Sequence, residues 1–189
     1  MGAPVRQRFD FAEYVLLEEG SPVRHEFLGG VVWAMAGGSP EHAGIAANVA
    51  LLLGNALEGR ACRVFTSDLR VRVKATGLST YPDVTVVCGQ LDLDPDDPKK
   101  HTVTNPKVIV EVLSPSTEAY DQGEKLDHYR QIPSLDAVVL VAHDTRRVTV
   151  WRRDGEAWAS TTSGDGEVVH VPAIHCRLEI AAVYRDPLA

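Results

Sequence analysis

A chain of 189 residues, 44% of them apolar and 24% charged, is long enough to bury one hydrophobic core and has the composition of a soluble globular protein. No stretch approaches the roughly 20 consecutive apolar residues of a membrane span, and residues 1–10 run into the mixed segment 11–19 without the apolar stretch of a secretory signal, so a cytoplasmic protein with no membrane partner is expected. With 19 basic against 26 acidic residues the formal charge is −7, which excludes nucleic-acid binding through a broad basic surface and leaves only a local contact.

A single domain over residues 1–189 is expected, since no linker, repeat or low-complexity segment interrupts the chain. Cys62, Cys88 and Cys176 are odd in number, far apart and without a Cys-x-x-Cys pair, and so are expected to be reduced, buried and inert.

Asp10 is placed to cap a first helix through Glu19, which Gly20, Ser21 and Pro22 stop. Residues 25–28 and 31–35 flank Gly29 and Gly30 and read as a hairpin, because two glycines supply the positive φ angles of a tight turn. Glu26 lies on its first strand. Ser39 followed by Pro40 is a helix start, and Ile45, Val49, Leu52, Leu53, Ala56 and Leu57 form the apolar stripe of that helix up to Gly59.

The period then becomes two, with strands predicted at 62–65, 69–73 and 83–87. Alternation over 69–74 puts Arg70, Arg72 and Lys74 on one strand face, a candidate for a local nucleic-acid contact whose favoured reading is a solvated sheet face. Residues 89–106 are polar and broken by prolines, and are expected to be an edge excursion rather than a packed element. Within them Asp92, Asp94 and Asp96 imitate a calcium loop, but Asp97 and Val103 stand where glycine and glutamate are required, so the segment reads as a solvated acidic loop. A strand around Val108 to Leu113 leads through Ser114 and Pro115 into a helix predicted to run from Ser116 or Thr117 to about Gln131. Further strands are predicted at 136–141, 147–151, 157–161 and 167–171, with a short strand near Leu178 and a helical turn after it.

Two carboxylates stand in segments that otherwise favour burial. Asp83 follows Pro82, which belongs at a strand start, and is expected at one end of the sheet. Glu111 lies inside an apolar run, where a carboxylate is costly to desolvate unless it is paired, hydrogen-bonded or bound to a cation. The following helix places Asp121, Lys125 and either His128 or Tyr129 along one side, and its departure from the strand of Glu111 keeps its first turns near that strand's end.

The order Glu26 and Gly30, Pro82-Asp83, then Glu111-Val-Leu-Ser-Pro-Ser-Thr117 with Asp121, Lys125 and Tyr129, resembles the bacterial restriction-endonuclease-like family, a branch of the PD-(D/E)XK nuclease superfamily. His42, in the Ser-Pro-Glu-His start of the second helix, matches the same pattern. The resemblance covers roughly residues 9–151. It implies an α/β fold with a restriction-endonuclease-like mixed central sheet flanked by helices, here with an additional antiparallel hairpin region. It also implies a Mg²⁺ site, with Mn²⁺ as substitute, at which Asp83, Glu111 and Glu26 hold the metal and Lys125 completes the catalytic set, a DNA substrate and a homodimer. One departure stands out: the position two after Glu111, where the superfamily carries lysine, is Leu113. The resemblance moves that role to Lys125, with Lys107 as competitor because residues 107, 109 and 111 share a strand face. Two readings follow, a Mg²⁺-dependent endonuclease or a catalytically inactive nuclease fold serving as a nucleic-acid-binding or dimerisation module. They differ in whether Lys125 converges on the two carboxylates or points to solvent.

Overall fold

A computed structural model describes residues 8–35 and 37–186. Helix α1 (Phe11–Gly20) starts with a reciprocal capping box in which Asp10 accepts from the Glu13 N–H and Glu13 accepts from the Asp10 N–H. The hairpin strands β1 (His25–Leu28) and β2 (Val31–Ala34) turn on Gly29 and Gly30, both at positive φ. Helix α2 (Pro40–Ala56) follows the Ser39 cap and buries Ile45, Val49 and Leu53. The sheets are then laid down by β3 (Cys62–Thr66), β4 (Arg70–Arg72), β5 (Ser79–Thr80), β6 (Val84–Cys88), β7 (Thr102–Val103) and β8 (Val108–Val112). Two short helices, α3 (Glu118–Gln122) and α4 (Glu124–Tyr129), precede β9 (Ala137–Val141), β10 (Val148–Asp154), β11 (Ala157–Ser163), β12 (Val168–Val171), β13 (Cys176–Glu179) and α5 (Ile180–Val183).

The central sheet is mixed and runs β11-β10-β9-β8-β6-β3, parallel between β8 and β9 and antiparallel elsewhere. Alternation along β8 decides what each face carries. Val108, Val110 and Val112 join Ile45, Val49 and Leu53 of α2, together with β12, β13 and α5, in one core. Ile109 points the other way into a second core with Leu126 and Tyr129 of α4 and with Val71 and Val103 of the smaller sheet, whose order is β2-β1-β5-β4-β7. Glu111 shares the Ile109 side and therefore faces α4. Phe27 of β1 packs with Phe11, Tyr14 and Val15 of α1, so Glu26, one residue earlier, faces away from α1.

Four expectations are overturned by long-range packing. Cys62 and Cys88 are register partners across β3 and β6 and form a disulfide, so only Cys176 remains the free, buried thiol that was expected of all three. Residues 89–106 are packed: β7 adds a parallel edge strand to β4, and Asp94 and Asp97 are 1% and 2% exposed. The cationic face is consequently solvated only at Lys74, which is exposed, while Arg70 and Arg72 are covered. Arg70 is buried against Asp97 at 3.0 Å, while Arg72 and Lys74 reach Asp94 at 2.9 and 3.1 Å. Finally, the helix predicted from Thr117 to Gln131 breaks at Gly123, where a Cβ would come within 2.9 Å of the Ala119 carbonyl oxygen.

The Arg70–Asp97 pair carries a stability prediction. Burial alone would raise the Asp97 carboxyl, but hydrogen bonds from Thr102 and the Lys99 N–H and the Arg70 guanidinium hold it down at about 2. A depressed carboxylate stabilises the fold above the ordinary aspartate range and loses that contribution only as pH falls toward the depressed value. Asp97→Asn, which strands a buried guanidinium, is expected to cost about 3–5 kcal/mol by urea denaturation at pH 7.

Candidate active site

Each of the four carboxylates of the site comes from a different segment. Asp83 stands immediately before β6, and its Oδ2 accepts the Val112 N–H of β8 at 2.7 Å, which ties it to the strand of Glu111. The same oxygen lies 3.2 Å from Nε2 of His42 in the first turn of α2. That hydrogen bond to Asp83 raises the imidazole above its ordinary range. His42 therefore belongs to the carboxylate cluster rather than merely to the helix start.

Glu111 is 4% exposed and accepts the Tyr129 hydroxyl. Lys125 lies on the same side of α4 as Leu126 and Tyr129 bury, and its Nζ is 3.0 Å from Glu111 Oε1, 3.0 Å from Glu26 Oε1 and 3.4 Å from Asp121 Oδ1. Asp121 and Lys125 had the spacing of an exposed helix pair, yet both are 4% exposed, because the break at Gly123 folds α3 and α4 over the end of β8. Glu26 accepts from Thr80 of β5 as well as from Lys125. The four sequence-predicted residues Asp83, Glu111, Lys125 and Glu26 thus line one cavity of about 340 Å³, together with Asp121, His42 and Trp33. Lys107 does not reach it and pairs with Asp136.

Thr80 and Trp33 had been passed over as site residues. Thr80 sits on a two-residue strand too short for any alternation to register. Trp33 was detectable in principle, since a two-residue turn at Gly29 and Gly30 sets it directly opposite Glu26.

The charge balance of the cluster is acid-rich, with Glu26, Asp83, Glu111 and Asp121 facing Lys125 and His42. Burial first, and then the neighbouring Asp83 and Asp121, push the Glu111 carboxyl up to about 8 against the opposing pull of Lys125 and Tyr129. Lys125 is moved the other way from what burial favours: desolvation acts against its charge, but Glu111, Tyr129, Glu26 and Asp121 hold its pKa above the ordinary lysine range. A carboxyl raised on folding stabilises the fold fully below its unfolded value, and that contribution is lost as pH rises through the folded value. In EDTA, the metal-free protein is therefore expected to lose stability between about pH 4.5 and pH 8 from this group. Urea midpoints of wild type and Glu111→Gln across that window check the expectation, the variant being flatter.

Hard oxygen donors gathered around a buried excess of negative charge suit a small divalent cation rather than a soft metal. Among the described residues, however, no three His, Cys, Asp or Glu side chains already form a ready metal cluster, because Lys125 occupies the centre of the ring. The fit is therefore to a cation that keeps most of its waters and takes one or two carboxylates, as Mg²⁺ does.

Comparisons with known proteins give the family and the fold. The model of the Uma2 family, described as "Putative restriction endonuclease", matches residues 11–183. A protein of Synechocystis sp. (strain ATCC 27184 / PCC 6803 / Kazusa), "Uncharacterized protein slr1290", is 33% identical over 175 residues, covering 92% of this chain and 90% of the relative. A second protein of that organism, "Uncharacterized protein sll1609", is 32% identical over 145 residues, covering 77% and 81% respectively. The crystal structure of "a putative nuclease belonging to DUF820" from Anabaena variabilis ATCC 29413 has a TM-score of 0.70 at 18% identity, covering 87% of this chain and 91% of that one. At that identity the likeness is one of fold, and it is the restriction-endonuclease-like fold that the sequence implied.

Proposed function

Because this chain belongs to the Uma2 family, we propose that it is a Mg²⁺-dependent endonuclease that hydrolyses DNA phosphodiester bonds at the cavity around Asp83, Glu111 and Lys125. The observation that carries the reading is the convergence of Lys125, from α4, on Glu111 and Glu26 at 3.0 Å each, which supplies from a helix the cation missing from the strand. Asp83 and Glu111 hold the metal, while Glu26, the third ligand implied by the family resemblance, acts chiefly by fixing Lys125, to which its Oε1 is bound. Mn²⁺ substitutes for Mg²⁺. When bound, the ion polarises the scissile phosphate and acidifies a water.

The chain's own groups supply the rest. The Val112 N–H and His42 orient Asp83, and the Tyr129 hydroxyl orients Glu111, so both carboxylates are fixed before substrate arrives. Lys125 donates to a phosphate oxygen and stabilises the charge that grows there as the water oxygen bonds to phosphorus. The attacking water gives up a proton to solvent, one P–O ester bond breaks, and the departing oxygen takes a proton from solvent, so that one water is added across the bond. A homodimer, from the family resemblance, completes the proposal; light scattering behind a sizing column tests it.

The rival reading, an inactive binding or dimerisation module, is favoured by the net charge of −7 and by the absence of lysine two positions after Glu111, where Leu113 stands. Incubation of the purified protein with plasmid and single-stranded DNA, with and without Mg²⁺ or Mn²⁺, decides between them. Cleavage that needs the metal and disappears in Asp83→Asn and Glu111→Gln is expected. Cleavage that survives both substitutions overturns the site, and silence on every substrate favours the module.

A further inference from the structure

Trp33 is the feature that metal chemistry leaves unexplained. In the β1–β2 hairpin it is the register partner of Glu26, and antiparallel partners project from the same face of a sheet. Glu26 is bound to Lys125, so the indole is placed beside the carboxylate ring and lines the same cavity of about 340 Å³. The ring is half-buried, with one side packed against the core. The other tryptophans are engaged by cations, Trp151 by Arg130 at 4.3 Å and Trp158 by Arg153 at 4.7 Å, whereas among the described residues no cation or aromatic ring stacks on Trp33.

The cavity's other apolar wall is made by Met35 and Val112, so it pairs an apolar half with an acidic, lysine-bearing half. Its size lies at the lower end of the roughly 300–1,000 Å³ of small-ligand sites, room for one nucleotide and not for a base pair. A second cavity of about 550 Å³ shares Met35, Gly38, His42 and Asp83 with the first and extends past Arg24 and Ser67. The two compartments meet at Asp83, the point at which a scissile phosphate would sit. That division suits consecutive nucleotides that have been pulled out of mutual stacking.

We propose that Trp33 is a stacking platform for the base next to the scissile phosphate, and that the substrate is single-stranded DNA. This rests on the nuclease reading for the place of the phosphate, but the binding preference stands on the cavity itself. A base in an intact duplex is stacked and paired and cannot lie against an indole that lines a one-nucleotide cavity. Duplex binding also draws on many phosphate contacts. The two cavities offer Lys125 and Arg24, with His42, on a chain of net charge −7, and Arg24 is already paired with Asp68. Stacking is the affinity source that needs few cations.

The test uses the full chain and a fluorescein-labelled 12-nucleotide DNA, single-stranded or annealed to its complement. Anisotropy is read in Ca²⁺ and cleavage in Mg²⁺ and Mn²⁺. The single strand is expected to bind at least tenfold more tightly than the duplex. Trp33→Ala should weaken single-strand binding by about tenfold, the scale of one lost base–aromatic stack. Trp33→Phe should restore most of the affinity; circular dichroism should be unchanged in both variants, and the thermal midpoint should fall in Trp33→Ala, which loses the side packed against the core, and less in Trp33→Phe. Equal or tighter duplex binding, a Trp33→Ala variant that binds like wild type, or no binding of either DNA overturns the proposal. Cleavage of duplex with no preference for the single strand overturns it while leaving the nuclease reading intact. Tryptophan-dependent binding of the single strand without cleavage upholds the stacking platform and its single-strand preference while overturning the nuclease reading and with it the place of the phosphate.

Discussion

Glu111→Gln is expected to reduce metal-dependent DNA cleavage by about 10³-fold or more, the equivalent of the several kcal/mol that a bound metal contributes in the transition state. The substitution keeps the shape of the side chain and its hydrogen bond with Tyr129 while removing the negative oxygen that a hard cation requires. Its effect on stability runs the other way. Burial and two neighbouring acids already push the Glu111 carboxyl up to about 8, so ionising it costs free energy at and above that pH, a cost that glutamine does not carry. Lys125 loses one partner but retains Glu26 and Asp121 at 3.0 and 3.4 Å. The variant should therefore be at least as stable as wild type at pH 8 in EDTA, measured by urea denaturation, while being inert in Mg²⁺. Activity within tenfold of wild type would remove Glu111 from the proposed metal ligands. Such a combination of lost activity and kept stability is typical of groups placed against the preferences of the fold.

The residues that were legible in the sequence are those whose partners are near in the chain or fixed by a period. The capping box of Asp10 and Glu13, the Gly29-Gly30 hairpin and the Ser39-Pro40 helix start are local, and each of them forms. Alternation along β8 set Glu111 apart from Val110 and Val112, which is the reason it meets α4 rather than α2. What stayed hidden depended on segments far apart. Cys62 and Cys88 are 26 residues apart and meet because β3 and β6 pair with both cysteines in register. Arg70 and Asp97 meet because the polar excursion folds back as β7, and no local pattern marks a charged loop that will be buried by its counter-ions. The helix break had a visible glycine, yet the need for glycine there, where a Cβ would meet the Ala119 carbonyl, arises only in the folded turn. The place of Lys125 was inferable from its departure point after β8, whereas its threefold ion pairing required Glu26 to arrive from the hairpin and Asp121 from the other side of the break.

Lys125→Met is expected to be the most destabilising of the site substitutions, costing about 3–5 kcal/mol because it leaves buried carboxylates without their cation. Methionine matches the length of the lysine stem, so packing beside the Tyr120 and Tyr129 rings changes little and the loss reports charge rather than cavity formation. For a chain of this size that is a fall of about 10 °C or more in thermal midpoint at pH 7. The loss should shrink as pH falls, since protonation neutralises carboxylates that no longer have a partner; in a raised group stability is present at low pH and lost as pH rises. Mg²⁺ should restore part of it, because a cation that binds only the folded state stabilises by mass action and here replaces the missing positive charge. Cleavage should stay low even where the fold is rescued, since the ion cannot also donate to the phosphate oxygen from the position of Nζ. Thermal melts of the variant and wild type in EDTA and in Mg²⁺, at pH 5 and pH 8, separate these effects. A variant as stable as wild type at pH 8 in EDTA would mean that water, not Lys125, compensates the carboxylates, and the closed ring of ion pairs would no longer explain why Glu26, Glu111 and Asp121 are buried together.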